Sequence, residues 1–263
     1  VSSGSNYISP YTGMKNRIIN GAMMIDQRNA GASVTPSSDG YIVDRWQYAA
    51  SQTSKFTWQQ NKGSVTPPSG YKNYLGGSVA SSVSVGVSDY FAIVQPIEGL
   101  NVYDLAWGSA NAKTVTLSFQ VYSSLTGTFG GAINNSGSTR SYPFTYSIPV
   151  ANTWTTINVT IPGDTTGTWL PTNGIGMFVI FGLGSGATYS SSTVGSWGST
   201  YYTQSAGSVS VVGTNGVTFY LTGVQLEVGS TATSFDFRSF GTEFALCQRY
   251  YYQIGGAYSG VSY

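Results

Sequence analysis

The stretch VTFYLTGVQLEV, residues 217–228, decides the fold of this chain. Phe219 and Leu221 lie two residues apart, which is the spacing of a strand with one buried face. After Gly223 the apolar positions shift by one residue and begin again at Val224. Such a shift turns every later side chain to the wrong face unless the extra residue is absorbed, and a glycine can absorb it in a β-bulge. We therefore predict one long, kinked, mostly buried strand that closes a sandwich; an ordinary strand that contains a glycine is the alternative.

Composition places the chain among folded proteins with few charges. Of its 263 residues only 8% are charged, against roughly 25% in an ordinary domain, whereas 41% are hydrophobic and 14% aromatic. Such a chain can build a core as one large all-β domain or two small ones. A net charge of +1 without a basic run argues against nucleic acid as a partner. No apolar run approaches the roughly 20 residues that span a bilayer, so we expect no membrane insertion.

The sequence offers little for catalysis or metal binding. It has no histidine, and Cys247 is its one cysteine, which excludes an internal disulfide and Cys/His zinc sites. The ten acidic residues form no recognisable glycosidase pair. No serine lies in a nucleophile-elbow motif, and the glycine-rich residues 182–186 lack the lysine of a phosphate loop. We therefore predict no enzymatic activity, no cofactor and no metal.

Short apolar segments separated by Gly, Pro, Ser and Asn predict an all-β fold, an antiparallel β-sandwich with one short C-terminal helix. The segments predicted as strands are residues 17–25, 41–49, 55–60, 78–85, 90–97, 113–123, 140–148, 153–161, 176–183, 208–212 and 217–228. Residues 185–207 are interpreted as a loop too polar to bury.

The predicted organisation has three parts. Residues 1–15 are an N-terminal arm or linker, residues 16–238 form the sandwich, and residues 239–263 hold the helix and an exit strand towards a following segment or subunit. The helix is predicted over residues 241–250 with Thr242 as its cap, and the exit strand over 250–254. The glycine- and serine-rich ends suggest part of a longer polypeptide.

Aromatic residues in polar loops are the strongest sign of binding. An aromatic face stacks on the apolar C–H face of a sugar ring, and the loops of a rigid sandwich carry its binding residues. The candidates for glycan binding are Trp169, Trp197, Tyr201 and Tyr202, with Tyr71 and Tyr74 as second choices. Trp107 is ambiguous and could plug one end of the sandwich, whereas Trp46, Trp58 and Trp154 lie in strand patterns. The alternative is that loop aromatics fold back over the core or fill a contact between subunits.

Two sets of residues resemble known families. Residues 16–23, the motif Asp44-Arg45-Trp46 and residues 219–227 resemble jelly-roll carbohydrate-binding modules of the xylanase-associated type. This resemblance implies an antiparallel jelly-roll β-sandwich with a closing strand at 219–227. It also implies that the first predicted strand, 17–25, lies in the same sheet region as the last, 217–228. Those modules usually carry paired acids where this chain has Thr222 and Gly223, so the resemblance does not extend to a structural calcium.

The second resemblance covers roughly residues 16–252. Residues 20–23, 44–46, 221–227 and the run Ala245-Leu-Cys-Gln-Arg-Tyr-Tyr251 are similar to sandwich domains of bacteriophage tail fibres and other virion appendages. This implies a non-enzymatic protein on the virion surface, in a tail or capsid appendage. It also implies a homotrimer that contacts other virion proteins and a host cell-surface glycan. A surface poor in charge and rich in Tyr, Gly and Ser also suits contact between copies. A purely structural capsid-decorating or head-fibre protein is the alternative, and a polysaccharide depolymerase is a further one.

Overall fold

Thirteen strands and one α-helix lie within residues 14–253, which are the residues that the computed structural model describes. In chain order the strands are β1 (Gly40–Val43), β2 (Trp46–Ala50), β3 (Phe56–Gln60), β4 (Leu75–Val79), β5 (Tyr90–Glu98), β6 (Val115–Ser123), β7 (Gly127–Asn135), β8 (Ser141–Ile148), β9 (Thr155–Ile161), β10 (Ile175–Ser185), β11 (Ser190–Ser191), β12 (Gln204–Ser205) and β13 (Thr218–Val228). The helix α1 spans Phe240–Gln248. No helix of residues 14–253 is long and apolar enough to cross a membrane.

Two antiparallel sheets face each other. The six-stranded sheet has the order β1-β2-β5-β10-β7-β8, and the five-stranded sheet has the order β3-β4-β13-β6-β9. Between them lies one apolar core, in which Phe119 of β6 meets Phe181 of β10 at a ring-centroid distance of 5.0 Å. Trp46 and Trp58 are fully buried in this core, as their strand patterns predict. The predicted all-β antiparallel sandwich with one short helix is confirmed.

Strand β13 contains the predicted bulge. Its pairing with β6 runs to Thr222 opposite Gln120 and resumes at Gln225 opposite Ser118, so two residues of β13 oppose one of β6. Gly223 takes a left-handed φ of 61° at this point. A Cβ added there would lie 2.6 Å from the Tyr71 hydroxyl oxygen. The glycine is therefore required both by the backbone and by the ring packed over it.

Residues 17–25 form no strand, which corrects the first predicted element. Asn20 and Met23 have φ values of 59° and 55°, and these left-handed residues break any extended run. The segment nevertheless lies along β13, as predicted. The Arg17 amide donates to the Leu226 carbonyl over 2.9 Å, and the Val224 amide donates to the Gly21 carbonyl over 3.0 Å.

Four further strand predictions need correction. Residues 41–49 form two strands, because Arg45 takes a φ of 69° and turns the chain between β1 and β2. The strand predicted at 78–85 is β4, which spans Leu75–Val79 instead. Residues 208–212 instead lead into a short 3-10 helix, Val211–Gly213. Trp154 precedes β9 and is only half-buried, so it does not belong to the core.

Strand β7 was not predicted, because its sequence GTFGGAINN has the composition of a turn. Its glycines serve packing instead. A Cβ on Gly131 would lie 2.4 Å from the Ile180 carbonyl oxygen and 2.5 Å from the Phe144 ring. Close packing of neighbouring strands therefore imposes glycine at this place in the sheet.

The loop at residues 185–207 is also more buried than predicted. It contains β11 and β12, which pair in parallel. Buried polar side chains within it are Ser191, Thr203, Gln204 and Ser205. Hydrogen bonds such as that between the Ser185 and Thr203 hydroxyls, at 2.6 Å, satisfy polar groups that would otherwise be costly to bury.

Helix α1 starts at Phe240, one residue before its predicted start at residue 241. Its cap is Ser239, whose hydroxyl accepts from the Thr242 amide, rather than Thr242 itself. Residues 250–253 form no strand, and Tyr250 instead donates its hydroxyl hydrogen to Glu98. Residue 254 and most of the predicted arm at 1–15 lie outside the described residues. The division at residues 15 and 238 stays a prediction.

Candidate functional site

Three tryptophans from three different loops meet at one end of the sandwich. Trp107 follows β5, Trp169 follows β9 and Trp197 follows β11. Their rings pack edge to face, with centroid distances of 4.8 Å between Trp107 and Trp169, 5.2 Å between Trp107 and Trp197, and 5.5 Å between Trp169 and Trp197. We call these three residues the tryptophan cluster. Edge-to-face geometry is the favourable one for aromatic rings, so the cluster is a rigid wall.

Every indole N–H in the tryptophan cluster is already engaged. Trp107 donates to the Lys113 carbonyl at 2.7 Å and Trp197 to the Pro162 carbonyl at 2.8 Å. Trp169 donates to a carboxylate oxygen of Asp164 at 3.2 Å. These bonds fix the rings, and the indoles have only apolar ring surface left to offer a ligand.

A cleft of about 230 Å³ opens beside the cluster. It is lined by Val102, Tyr103, Trp107, Trp169, Leu170, Pro171 and Met177. Tyr103 is 64% exposed and Leu170 is 38% exposed, so both are accessible to a ligand. Two or three rings at a concave surface are the arrangement that holds the apolar face of a sugar.

The turn that carries Tyr103 is held from two sides. On the cleft side, the Gly99 amide donates to Gly174 at 2.9 Å and the Leu100 amide to Thr172 at 3.0 Å. A Cβ on Gly99 would lie 2.0 Å from the Leu170 carbonyl oxygen, so only glycine allows the two loops to approach.

On the other side the same turn meets both ends of the described chain. Arg17 donates to Asp104 at 2.7 Å and to the Asn101 carbonyl at 3.1 Å. The Asn101 side chain donates to the Tyr250 hydroxyl at 3.4 Å. These contacts hold the turn in place, and we call them the terminal clasp.

Two ion pairs lie near the cleft. Asp164 is buried and accepts two hydrogen bonds of 2.7 Å from Arg140. Burial acts to raise the pKa of Asp164, but the bonds from Arg140 and the Thr166 amide outweigh it and hold that pKa below its usual value. Asp104 is paired with Arg17. No charged side chain lines the cleft itself.

The structure brings together two of the six predicted glycan-binding residues. Trp169 lines the cleft. Trp197 does not line the cleft. It packs on Trp107 and Trp169 and, at a ring-centroid distance of 5.2 Å, on Tyr142. The structure places Trp107, the ambiguous tryptophan, at the base of the same cleft.

Tyr201 and Tyr202 lie elsewhere, on the outer face of the six-stranded sheet. Tyr201 packs on a small apolar cluster that includes Val94 and Ile180. Burial raises the pKa of Tyr201 to about 12. The Tyr202 carbonyl accepts from the Asn134 side chain at 2.9 Å.

Tyr71 and Tyr74 occupy two further places. Tyr71 covers Gly223 and packs on Phe235 and Phe237, each at 5.4 Å. Tyr74 is fully buried, and its hydroxyl donates to the Lys62 carbonyl at 2.6 Å. The expectation of an exposed ring therefore fails for Tyr74, because residues 62–65 close over it.

Sequence reasoning missed Tyr103 and Leu170. Tyr103 lies in a segment that was assigned to no strand and that lacks the Gly/Ser-rich character which identified the other loop aromatics, whereas Leu170 directly follows Trp169 but is not aromatic. The one available signal was the spacing of Tyr103 and Trp107, four residues apart between two strands. Among residues 14–253 no group of three or more His, Cys, Asp or Glu side chains is arranged to hold a metal ion.

No protein-family model and no curated protein sequence matches the chain. Solved structures that resemble it include the enzymatically active domain of tailspike protein 4 from bacteriophage CBA120, with a TM-score of 0.44 and 13% identity. That match covers 82% of this chain but 22% of the tailspike domain, so the chain spans about a fifth of its length.

Two carbohydrate-binding modules are also similar to the chain. TmCBM61, in complex with β-1,4-galactotriose, has a TM-score of 0.41 and 9% identity over 82% of this chain and 100% of that one. A family 11 module from Clostridium thermocellum, in complex with a β-1,3-1,4-mixed-linked tetrasaccharide, has a TM-score of 0.36 and 11% identity over 76% and 99%. Likeness of this size does not transfer a ligand or a biological role.

Proposed function

We propose that this chain is a non-enzymatic glycan-binding protein of a virion appendage. The observation that carries the glycan part is the cleft between Tyr103 and the tryptophan cluster. Tyr103 is exposed and Trp169 is half-buried, whereas Trp107 is buried and packs on Trp169. The cleft is built from loops at one end of a rigid sandwich. A sugar ring can stack there without displacing any hydrogen bond of the protein, because the indole N–H groups are already paired.

The virion part of the proposal rests on the sequence motifs. The run Ala245–Tyr251 and the motif Asp44-Arg45-Trp46 resemble those of tail-fibre sandwiches, and the protein would serve host adhesion on a tail or capsid appendage as a homotrimer. Only 8% of the residues are charged, so the surface of the chain is suited to contact between copies. Multi-angle light scattering of the full chain should give three chains per particle, and one chain per particle would contradict the trimer.

The experiment for the glycan part compares three variants on a glycan array and by calorimetry. Tyr103→Ala and Trp169→Ala should each weaken binding by about 1–3 kcal/mol per lost stacking ring, by analogy with bases stacked on aromatic rings. This corresponds to roughly a 5- to 150-fold loss of affinity. Tyr252→Ala is the matched control, because Tyr252 is 63% exposed but does not line the cleft.

The outcomes separate the candidate roles. Array hits that persist in Tyr103→Ala and Trp169→Ala would place binding elsewhere and refute this site. An array without hits, together with firm attachment to particles, would favour a purely structural capsid-decorating role. Shortened chains after incubation with host polysaccharide would identify a depolymerase. Asp164 would then be the carboxylate to substitute first, since it lies against Trp169.

A further inference from the structure

The cleft is unusual for a sugar site because its side chains offer almost no hydrogen bonds. Val102, Leu170, Pro171 and Met177 have no hydrogen-bonding side-chain N or O atom, and the N–H groups of Trp107 and Trp169 are bound to protein oxygens. The Tyr103 hydroxyl is the one side-chain polar group left among the lining residues. A sugar hydroxyl that enters deeply would therefore lose its water without gaining a side-chain partner.

Size limits what enters. The cleft has a volume of about 230 Å³, below the range of about 300–1,000 Å³ typical of sites for drug-sized ligands. It therefore holds no more than about one sugar residue, with the rest of the glycan outside. The part that enters should be small and apolar.

Charge limits the ligand further. Arg17 and Arg140, two cations of the surrounding loops, are held in ion pairs with Asp104 and Asp164 at 2.7 Å. Neither arginine lines the cleft. A carboxylated or sulfated sugar would thus enter an apolar site without a counter-ion.

We propose that the cleft receives a methyl group carried by a neutral sugar, either the C6 methyl of a 6-deoxyhexose or the methyl of an acetyl substituent. This inference rests on the proposed glycan-binding function and narrows it to one class of ligand. The methyl group packs against Leu170, Pro171 and the Trp169 ring, and the ring of the sugar lies on Tyr103. The polar hydroxyls of the glycan remain in water.

The test uses an array of glycans in matched pairs that differ by one group. D-Fucose replaces D-galactose at the terminus in one pair, N-acetylglucosamine replaces N-formylglucosamine in a second, and glucuronic acid replaces glucose in a third. Binding should favour the methyl-bearing member of the first or second pair by about 10-fold or more, since one methyl-sized group in an apolar pocket discriminates by roughly 10- to 200-fold. Glucuronic acid should bind no better than glucose.

Two variants tie the preference to the cleft. Leu170→Ser introduces a hydroxyl into the cleft and should reduce the preference for the methyl-bearing member several-fold. Ile175→Ser is its control, because Ile175 is 39% exposed on the neighbouring strand end but does not line the cleft, and it should leave the preference unchanged. Both residues are partly exposed, so the fold should survive either change.

The results distinguish this inference from the proposed function. Hits that depend on Tyr103 but ignore the methyl group, or prefer the acidic sugar, overturn the inference and leave glycan binding intact. An equal effect of Leu170→Ser and Ile175→Ser also overturns it. An array without any hit overturns both.

Discussion

Substitution of Gly223 tests the idea that the kinked strand depends on a single glycine. Gly223→Ala should cost about 1–2 kcal/mol for a side chain in the left-handed region. Its Cβ would also lie 2.6, 2.7 and 2.9 Å from three atoms of the Tyr71 ring, so the ring must move. Overpacking of this kind adds about 1–3 kcal/mol, and the total loss of stability should be roughly 2–5 kcal/mol.

A control and a double-mutant cycle separate the two contributions. Gly216 also has a left-handed φ of 76°, but nothing lies within 4 Å of an added Cβ, so Gly216→Ala should show the backbone cost alone. In a Tyr71→Ala background the cost of Gly223→Ala should likewise fall to about 1–2 kcal/mol. Unfolding in guanidinium chloride gives all of these free energies. If Gly223→Ala costs no more than Gly216→Ala, or if Tyr71→Ala leaves its cost unchanged, the packing argument is wrong.

Three further predictions concern the tryptophan cluster and the buried polar groups. Trp197→Ala should lower the free energy of unfolding by about 3 kcal/mol, because the ring packs against Trp107 and Trp169. Denaturant unfolding measures this, and full stability with intact binding would contradict it. Arg140→Met should cost about 3 kcal/mol near neutral pH by leaving Asp164 charged and unpaired. The pKa of Asp164 is lowered in the folded protein, so its pairing with Arg140 stabilises the wild type fully above the unfolded pKa of about 4. This stabilisation is lost as the pH falls through the folded pKa, so the difference in free energy of unfolding between wild type and Arg140→Met should shrink in acid. Burial raises the pKa of the Cys247 thiol, so it should react with iodoacetamide only on unfolding, and rapid native-state alkylation would contradict its placement.

The parts of the fold that could be predicted are those in which local sequence and tertiary environment agree. Strand β6 alternates Val115, Leu117, Phe119 and Val121 inward, and all four are buried. The bulge in β13 could be predicted because a phase shift in the apolar pattern coincides with a glycine. In both cases a few consecutive residues contain all the information that is needed.

The parts that could not be predicted depend on contacts with distant residues. Gly131 suggests a turn by composition, yet the Ile180 backbone and the Phe144 ring require a glycine inside β7. Arg45 breaks a good alternation by taking a left-handed φ, and its guanidinium lies 3.5 Å from the centre of the Tyr250 ring. The intrinsic preference of a short segment cannot predict a contact with a residue two hundred positions away in the sequence.

The same distinction applies to the candidate site. Trp169 and Trp197 were selected because their glycine-rich surroundings excluded a strand, and the structure brings them together. Tyr74 has similar surroundings but is buried, because the Lys62 carbonyl accepts its hydroxyl hydrogen. Tyr103 is exposed only because the turn at 103–105 directs it outward, and that turn depends on loop contacts rather than on its own sequence.

The terminal clasp has a mechanical consequence. Arg17, near one end of the described chain, and Tyr250, near the other, both bind the turn at residues 101–104. Tension applied between residues 14 and 253 would therefore load this turn, together with β13, whose Leu226 carbonyl accepts from the Arg17 amide, and β5, whose Glu98 accepts from the Tyr250 hydroxyl. Tyr103 belongs to the same turn, so a pull on residues 14 and 253 would be felt at the mouth of the cleft.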